Sequence, residues 1–113
     1  MPARAALVPG TLDLLILRAV SLGRLHGYGV LLRIEQISNG ALLIEQSALY
    51  QALYRLEQQG LLATEWGASD NNRRAKFYEL TSAGRRRLKQ ETTSWTAFVR
   101  AMTAALSTGP MEA

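Results

Sequence analysis

The chain has 113 residues, one domain's worth of polypeptide, and 48% of them are apolar, which supplies a core and excludes wholesale disorder. Thirteen basic residues against nine acidic ones leave a net charge of +4, a mild excess that permits a nucleic-acid partner without requiring one. With no cysteine, disulfides, thiolate nucleophiles and Cys-ligated zinc are excluded. No apolar run approaches the roughly 18 to 20 uncharged residues of a membrane-spanning helix. The most hydrophobic stretch, residues 12–20, contains Asp13 and Arg18. The N-terminus lacks a secretory pattern, so a cytoplasmic location with no membrane contact is expected.

Residues 1–9 read as a flexible arm. Gly10-Thr11 opens a first helix, with Thr11 as the expected N-cap and Asp13 in the first turn, where the helix dipole favours a carboxylate. Through Val20 this helix is apolar on nearly every side, so one stripe faces the core and a second stripe needs another partner. Gly23 to Gly29 is a break holding the only histidine, His26. A second helix follows, with Val30, Leu31, Ile34 and Ile37 at i, i+1, i+4 and i+7 and Asn39-Gly40 as its stop. A third helix runs from about Ser47 to Gln59. Leu49, Leu53 and Leu56 line its inner face, while Ser47, Gln51, Tyr54 and Gln58 lie opposite, flanked by Tyr50 and Arg55. Glu57 projects toward the side.

Residues 61–66 and 75–80 read as two strands joined by a turn-rich tip that ends in Arg73 and Arg74. Thr81 then caps a last helix reaching about Leu106, roughly 37 Å long at about 1.5 Å per residue. Along it Leu88, Thr92, Trp95, Val99, Met102 and Leu106 recur at alternating spacings of four and three, a coiled-coil type of seam. Residues 108–113 read as a disordered tail. Charge is uneven along the chain. Residues 1–72 hold five basic against six acidic side chains, whereas residues 73–89 hold seven basic side chains against Glu79 alone. Such a local excess is a footprint that could meet phosphates or a solvated face.

This order of elements is mainly α with a small β-hairpin: a winged helix-turn-helix over residues 10–80 with a dimerisation helix over 81–107. In that fold the third helix enters the DNA major groove and the wing reaches the neighbouring backbone. The expected major-groove residues are Tyr50, Gln51, Tyr54 and Arg55, with Ser47 meeting phosphate at the helix N-terminus. Arg73, Arg74 and Lys76 form the expected wing contacts. The second stripes of the first and last helices, Leu12, Leu15, Leu88, Trp95, Val99, Met102 and Leu106, would meet in a homodimer. Double-stranded DNA and a second copy are therefore the expected partners. An enzyme fits poorly, because one histidine and scattered carboxylates make neither an acid–base constellation nor a metal site. His26, in its glycine-rich turn, reads as structural. No cofactor or metal is expected. A winged helix serving only as a protein-interaction module is the alternative, and the Gln51–Arg55 face and arginine wing argue against it.

The chain also resembles the PadR-like transcriptional regulators over about residues 10–106. The likeness is carried by Gly10-Thr11-Leu12-Asp13-Leu14-Leu15, by His26-Gly27-Tyr28-Gly29, and by Ser47-Ala48-Leu49-Tyr50-Gln51-Ala52-Leu53-Tyr54-Arg55-Leu56-Glu57. It continues through Gly60-Leu61-Leu62, Trp66, Arg73-Arg74-Ala75-Lys76-Phe77-Tyr78 and Leu80-Thr81-Ser82-Ala83-Gly84-Arg85. The short C-terminus resembles the compact branch of that family, in which one long helix makes the dimer. One departure is Gln51, which stands where the family usually has proline and can hydrogen-bond an adenine edge. The resemblance implies a bacterial repressor released by a signal such as a small hydrophobic or aromatic effector. It also implies that Trp95 corresponds to a ligand-stacking tryptophan at the dimer centre, with Val99 and Leu14 nearby. Packing of the dimer seam is the other reading of Trp95.

Overall fold

The computed structural model describes residues 5–6 and 10–110. The first helix, α1 (Thr11–Ser21), starts one residue earlier than expected: Gly10 is the N-cap, with no side-chain hydrogen bond, and Thr11 is already helical. At the other end the Arg33 guanidinium reaches the carbonyls of Ala19, in the last turn, and Gly23, just beyond the C-cap, each at 3.4 Å. His26 caps α2 (Gly27–Ile37). Its Nδ1 accepts a hydrogen bond from the Gly29 amide at 3.0 Å, which gives the lone histidine the structural role expected of it. The third helix, α3 (Gln46–Gln58), follows Glu45 as N-cap.

Leu62–Ala68 and Arg74–Leu80 are the long strands of the wing, paired antiparallel from Leu62 opposite Leu80 to Ala68 opposite Arg74. At the tip the Ser69 amide donates to the Arg73 carbonyl at 2.8 Å and Asn72 turns the chain with a left-handed φ of 58°. A third strand was not expected. Leu25–His26 pairs with the second wing strand, Leu25 opposite Tyr78 and His26 opposite Phe77, so the wing is rooted against the turn before α2. Two further short segments, Ala5–Ala6 and Leu42–Leu43, pair in parallel. In chain order the strands are thus β1 (Ala5–Ala6), β2 (Leu25–His26), β3 (Leu42–Leu43), β4 (Leu62–Ala68) and β5 (Arg74–Leu80). Of the arm expected to be loose over residues 1–9, residues 5 and 6 are held in a sheet; the others lie outside the described residues, as do 111–113 of the expected tail.

The core lies between α1, α2, α3 and the base of the sheet. Ile16, Leu17, Val30, Ile34, Leu49, Leu53 and Leu56 are fully buried there, each worth about 1.5 to 3 kcal/mol of burial free energy. α4 (Ser82–Ser107) begins at Thr81, whose hydroxyl accepts from the Gly84 amide at 3.0 Å and donates to the Gly60 carbonyl at 2.7 Å. Gly84 is required by close approach: a Cβ there would stand 2.2 Å from the Leu61 carbonyl oxygen. These contacts dock the first turns of α4 onto the end of α3, with Ala83 and Leu88 packed on the core. From Thr92 onward every residue of α4 is exposed, and the chain extends to 65 × 35 × 21 Å.

Candidate nucleic-acid interface

The inner face of α3 is fixed by burial of Leu49, Ala52, Leu53 and Leu56. Helical geometry then turns Ser47, Gln51, Tyr54 and Gln58 outward, and all four are exposed, Tyr54 most prominently at 63%. Tyr50 departs from this centre line. Its ring lies so close to Gly27 that a Cβ on that glycine would come within 2.5 Å of the ring. Tyr50 therefore points toward the seam between α3, the start of α2 and the wing.

That seam is a groove of about 490 Å³ whose walls include His26, Tyr28, Tyr50, Arg73, Arg74 and Lys76. Three residues expected on the wing and one expected on α3 thus meet around a single concavity. Tyr28, half exposed on the first turn of α2, was missed by the sequence reading. The signal was its place inside Gly27-Tyr28-Gly29 beside the histidine turn, which the periodicity of α2 alone does not explain.

The cations around this surface are of two kinds. Arg73 and Arg74 are exposed, and among the described residues no carboxylate pairs with either; the Arg74 guanidinium lies over the Trp66 ring, 4.6 Å from its centroid. Such stacking holds a guanidinium in place while leaving its edge donors available. Lys76 and Arg55 are neutralised within the chain. Lys76 Nζ is 2.8 Å from Glu57 Oε1, and Thr64 donates to the other carboxylate oxygen at 2.9 Å. The hydrogen bond from Lys76 holds the Glu57 carboxyl below its ordinary range, against an opposing push from burial, and the same bond raises Lys76. Arg55 is ion-paired to Asp13 of α1. It lies on the flank of α3 away from the wing and does not join the groove that gathers Tyr50, Arg73, Arg74 and Lys76.

The seam expected on the last helix is divided in the same way. Trp95, Val99, Met102 and Leu106 are exposed along α4, joined by Phe98, which the sequence reading left out and whose ring centroid is 6.0 Å from that of Trp95. Leu12, Leu15 and Leu88 instead pack partly buried against the chain's own core. Leu14 and Trp95 come together with Phe98 at a recess of about 260 Å³ between the starts of α1 and the middle of α4; Val99 is not among its walls. Among the described residues no group of three or more His, Asp or Glu side chains could hold a metal, and no helix is long and apolar enough to cross a membrane.

Comparison with known proteins agrees with this architecture. The sequence pattern of the "Transcriptional regulator PadR-like family" matches residues 16–90. A PadR family transcriptional regulator from Eggerthella lenta is 30% identical, with 88% of this chain and 85% of that chain covered and a TM-score of 0.73. A transcriptional regulator from Clostridium thermocellum is 25% identical over 84% of this chain and 89% of that one, with a TM-score of 0.75. A PadR-like regulator from Bacillus cereus, 21% identical, shares the fold at a TM-score of 0.77 over 88% of this chain and 95% of that one. A winged helix with these helices in this order, and the family's pattern across its core and wing, makes the chain a member of the PadR-like transcriptional regulator family.

Proposed function

We propose that this DNA-binding regulator is a cytoplasmic homodimeric repressor of a palindromic operator, with no enzymatic activity. The observation that carries the reading is the juxtaposition of an exposed polar helix face with a groove edged by two exposed arginines that pair with no carboxylate among the described residues. In the proposed complex Gln51 and Tyr54 meet base edges in the major groove, and Ser47 meets a phosphate at the start of α3. Arg73 and Arg74 grip the adjoining backbone, with Tyr28 and Tyr50 lining the approach. The exposed row of Trp95, Phe98, Val99, Met102 and Leu106 is too apolar to face water along a free helix. Its burial against a second copy would set two recognition helices about 34 Å apart. A small apolar or aromatic effector would enter at Leu14, Trp95 and Phe98, where ring faces are exposed for stacking.

The test is fluorescence anisotropy with duplexes tiled across the protein's own upstream region and scrambled duplexes of equal length, with sedimentation of the complexes in the same buffers. One tile should be favoured roughly a thousandfold, with two chains bound per duplex. Equal affinity for every duplex would contradict a specific operator, and a single bound chain would contradict the dimer.

A further inference from the structure

Both flanks of the recognition helix carry an ion pair that reaches to another element. On the side of α1, Arg55 is paired with Asp13, forty-two residues away in sequence; their side chains are 50% and 29% exposed. On the wing side, Lys76 is paired with Glu57, and those side chains are 31% and 23% exposed. Each cation therefore stands at the edge of the exposed face with its own counter-ion in contact. The arginines of the wing tip have none among the described residues.

Stability is a weak reason for such an arrangement. A partly exposed pair contributes little, since side-chain ordering and solvent screening offset most of the attraction. The consequence for a polyanion is larger. Sequence-independent affinity for DNA comes from cations that displace condensed counter-ions, and it scales with the number of phosphates neutralised. A cation already matched by a carboxylate displaces few, and the carboxylate itself repels the backbone. Base-edge hydrogen bonds from Gln51 and Tyr54 are left untouched.

We propose that Asp13 and Glu57 are specificity-determining residues of the DNA interface: by neutralising Arg55 and Lys76 within the chain they suppress attraction to arbitrary DNA and leave Arg73 and Arg74 as the phosphate-gripping pair. This rests on the DNA-binding reading above. Arg55 is accordingly not a free major-groove cation: removing it takes away no phosphate contact, and its effect on non-specific affinity comes from uncovering the Asp13 carboxylate.

The experiment is a salt titration of anisotropy with one scrambled duplex, comparing the full-length protein with Asp13→Asn, Glu57→Gln, Arg55→Gln and the double variant Asp13→Asn/Arg55→Gln. Circular dichroism and thermal melting of each variant establish that it is folded. Asp13→Asn and Glu57→Gln should each tighten binding and steepen the slope of log K against log salt by about 0.9 per protomer. Arg55→Gln alone should leave the slope nearly unchanged, and in the double variant it should cancel the gain made by Asp13→Asn. Folded Asp13→Asn and Glu57→Gln proteins with the original slope and affinity would overturn the proposal, as would weaker binding by both. Absence of binding to any duplex by the unmodified protein would overturn the DNA reading itself, a result distinct from an unchanged slope.

Discussion

At the scale of single residues, chemistry at this surface divides between side chains that are free and side chains that are already engaged. Gln51 is exposed at the centre of the outward face of α3 and carries both a donor and an acceptor on one amide. Gln51→Ala should lower the preference for the cognate duplex over a scrambled one by about 1 to 3 kcal/mol, with little effect on scrambled DNA. Competition anisotropy reads this directly, and an unchanged ratio would remove Gln51 from base recognition. The residue was legible in the sequence because burial of Leu49, Leu53 and Leu56 fixes the opposite face by geometry alone. The state of Arg55 was not legible. Helix periodicity places it beside the exposed face, but its partner Asp13 lies on another helix, and only packing of α1 against α3 brings the two together.

Whole elements are joined by a few polar ties, and these are where local sequence rules run out. The wing was visible as two alternating segments around a turn, yet β2 was not, since two residues carry no alternation to detect. Likewise Thr11 satisfied the general preference for a hydroxyl N-cap, but Gly10 is the cap and Thr11 is already helical, and Leu88 fits a regular seam yet packs partly buried on the core, where α4 docks through Thr81 and Gly84. The tie from α3 to β5, Glu57 with Lys76 and Thr64, has a definite pH signature. A carboxyl held below its ordinary value stabilises the fold above that value, and the gain is lost as pH falls through the lowered one. A lysine held above its ordinary value stabilises below that value, and the gain is lost as pH rises through the raised one. Urea unfolding of Glu57→Gln against the unmodified protein should therefore show a deficit of about 0.2 to 1 kcal/mol that is flat through neutral pH. It should shrink toward zero in acid. A deficit of constant size down to acid pH would contradict an origin in the ion pair.

For the molecule as a whole, the polar face of α3 with the wing arginines and the apolar row of α4 lie on different elements. α3 and the wing present the polar face, and α4 extends with an exposed apolar row, a division that suits a dimer reading DNA with two equivalent helices. That division was largely legible beforehand, because it follows from the order of elements and from an uneven charge distribution. What the order could not supply was which of the expected cations carry a counter-ion of their own, since the pairs of Arg55 with Asp13 and Lys76 with Glu57 form across the fold. The proposed grip of α3 and the wing on DNA has Arg73 and Arg74 as its phosphate contacts. Its most direct test is the salt dependence of binding by Arg73→Ala/Arg74→Ala. The slope of log K against log salt should flatten by about two per protomer, for cognate and scrambled duplexes alike. An unchanged slope, or a loss confined to one sequence, would contradict it.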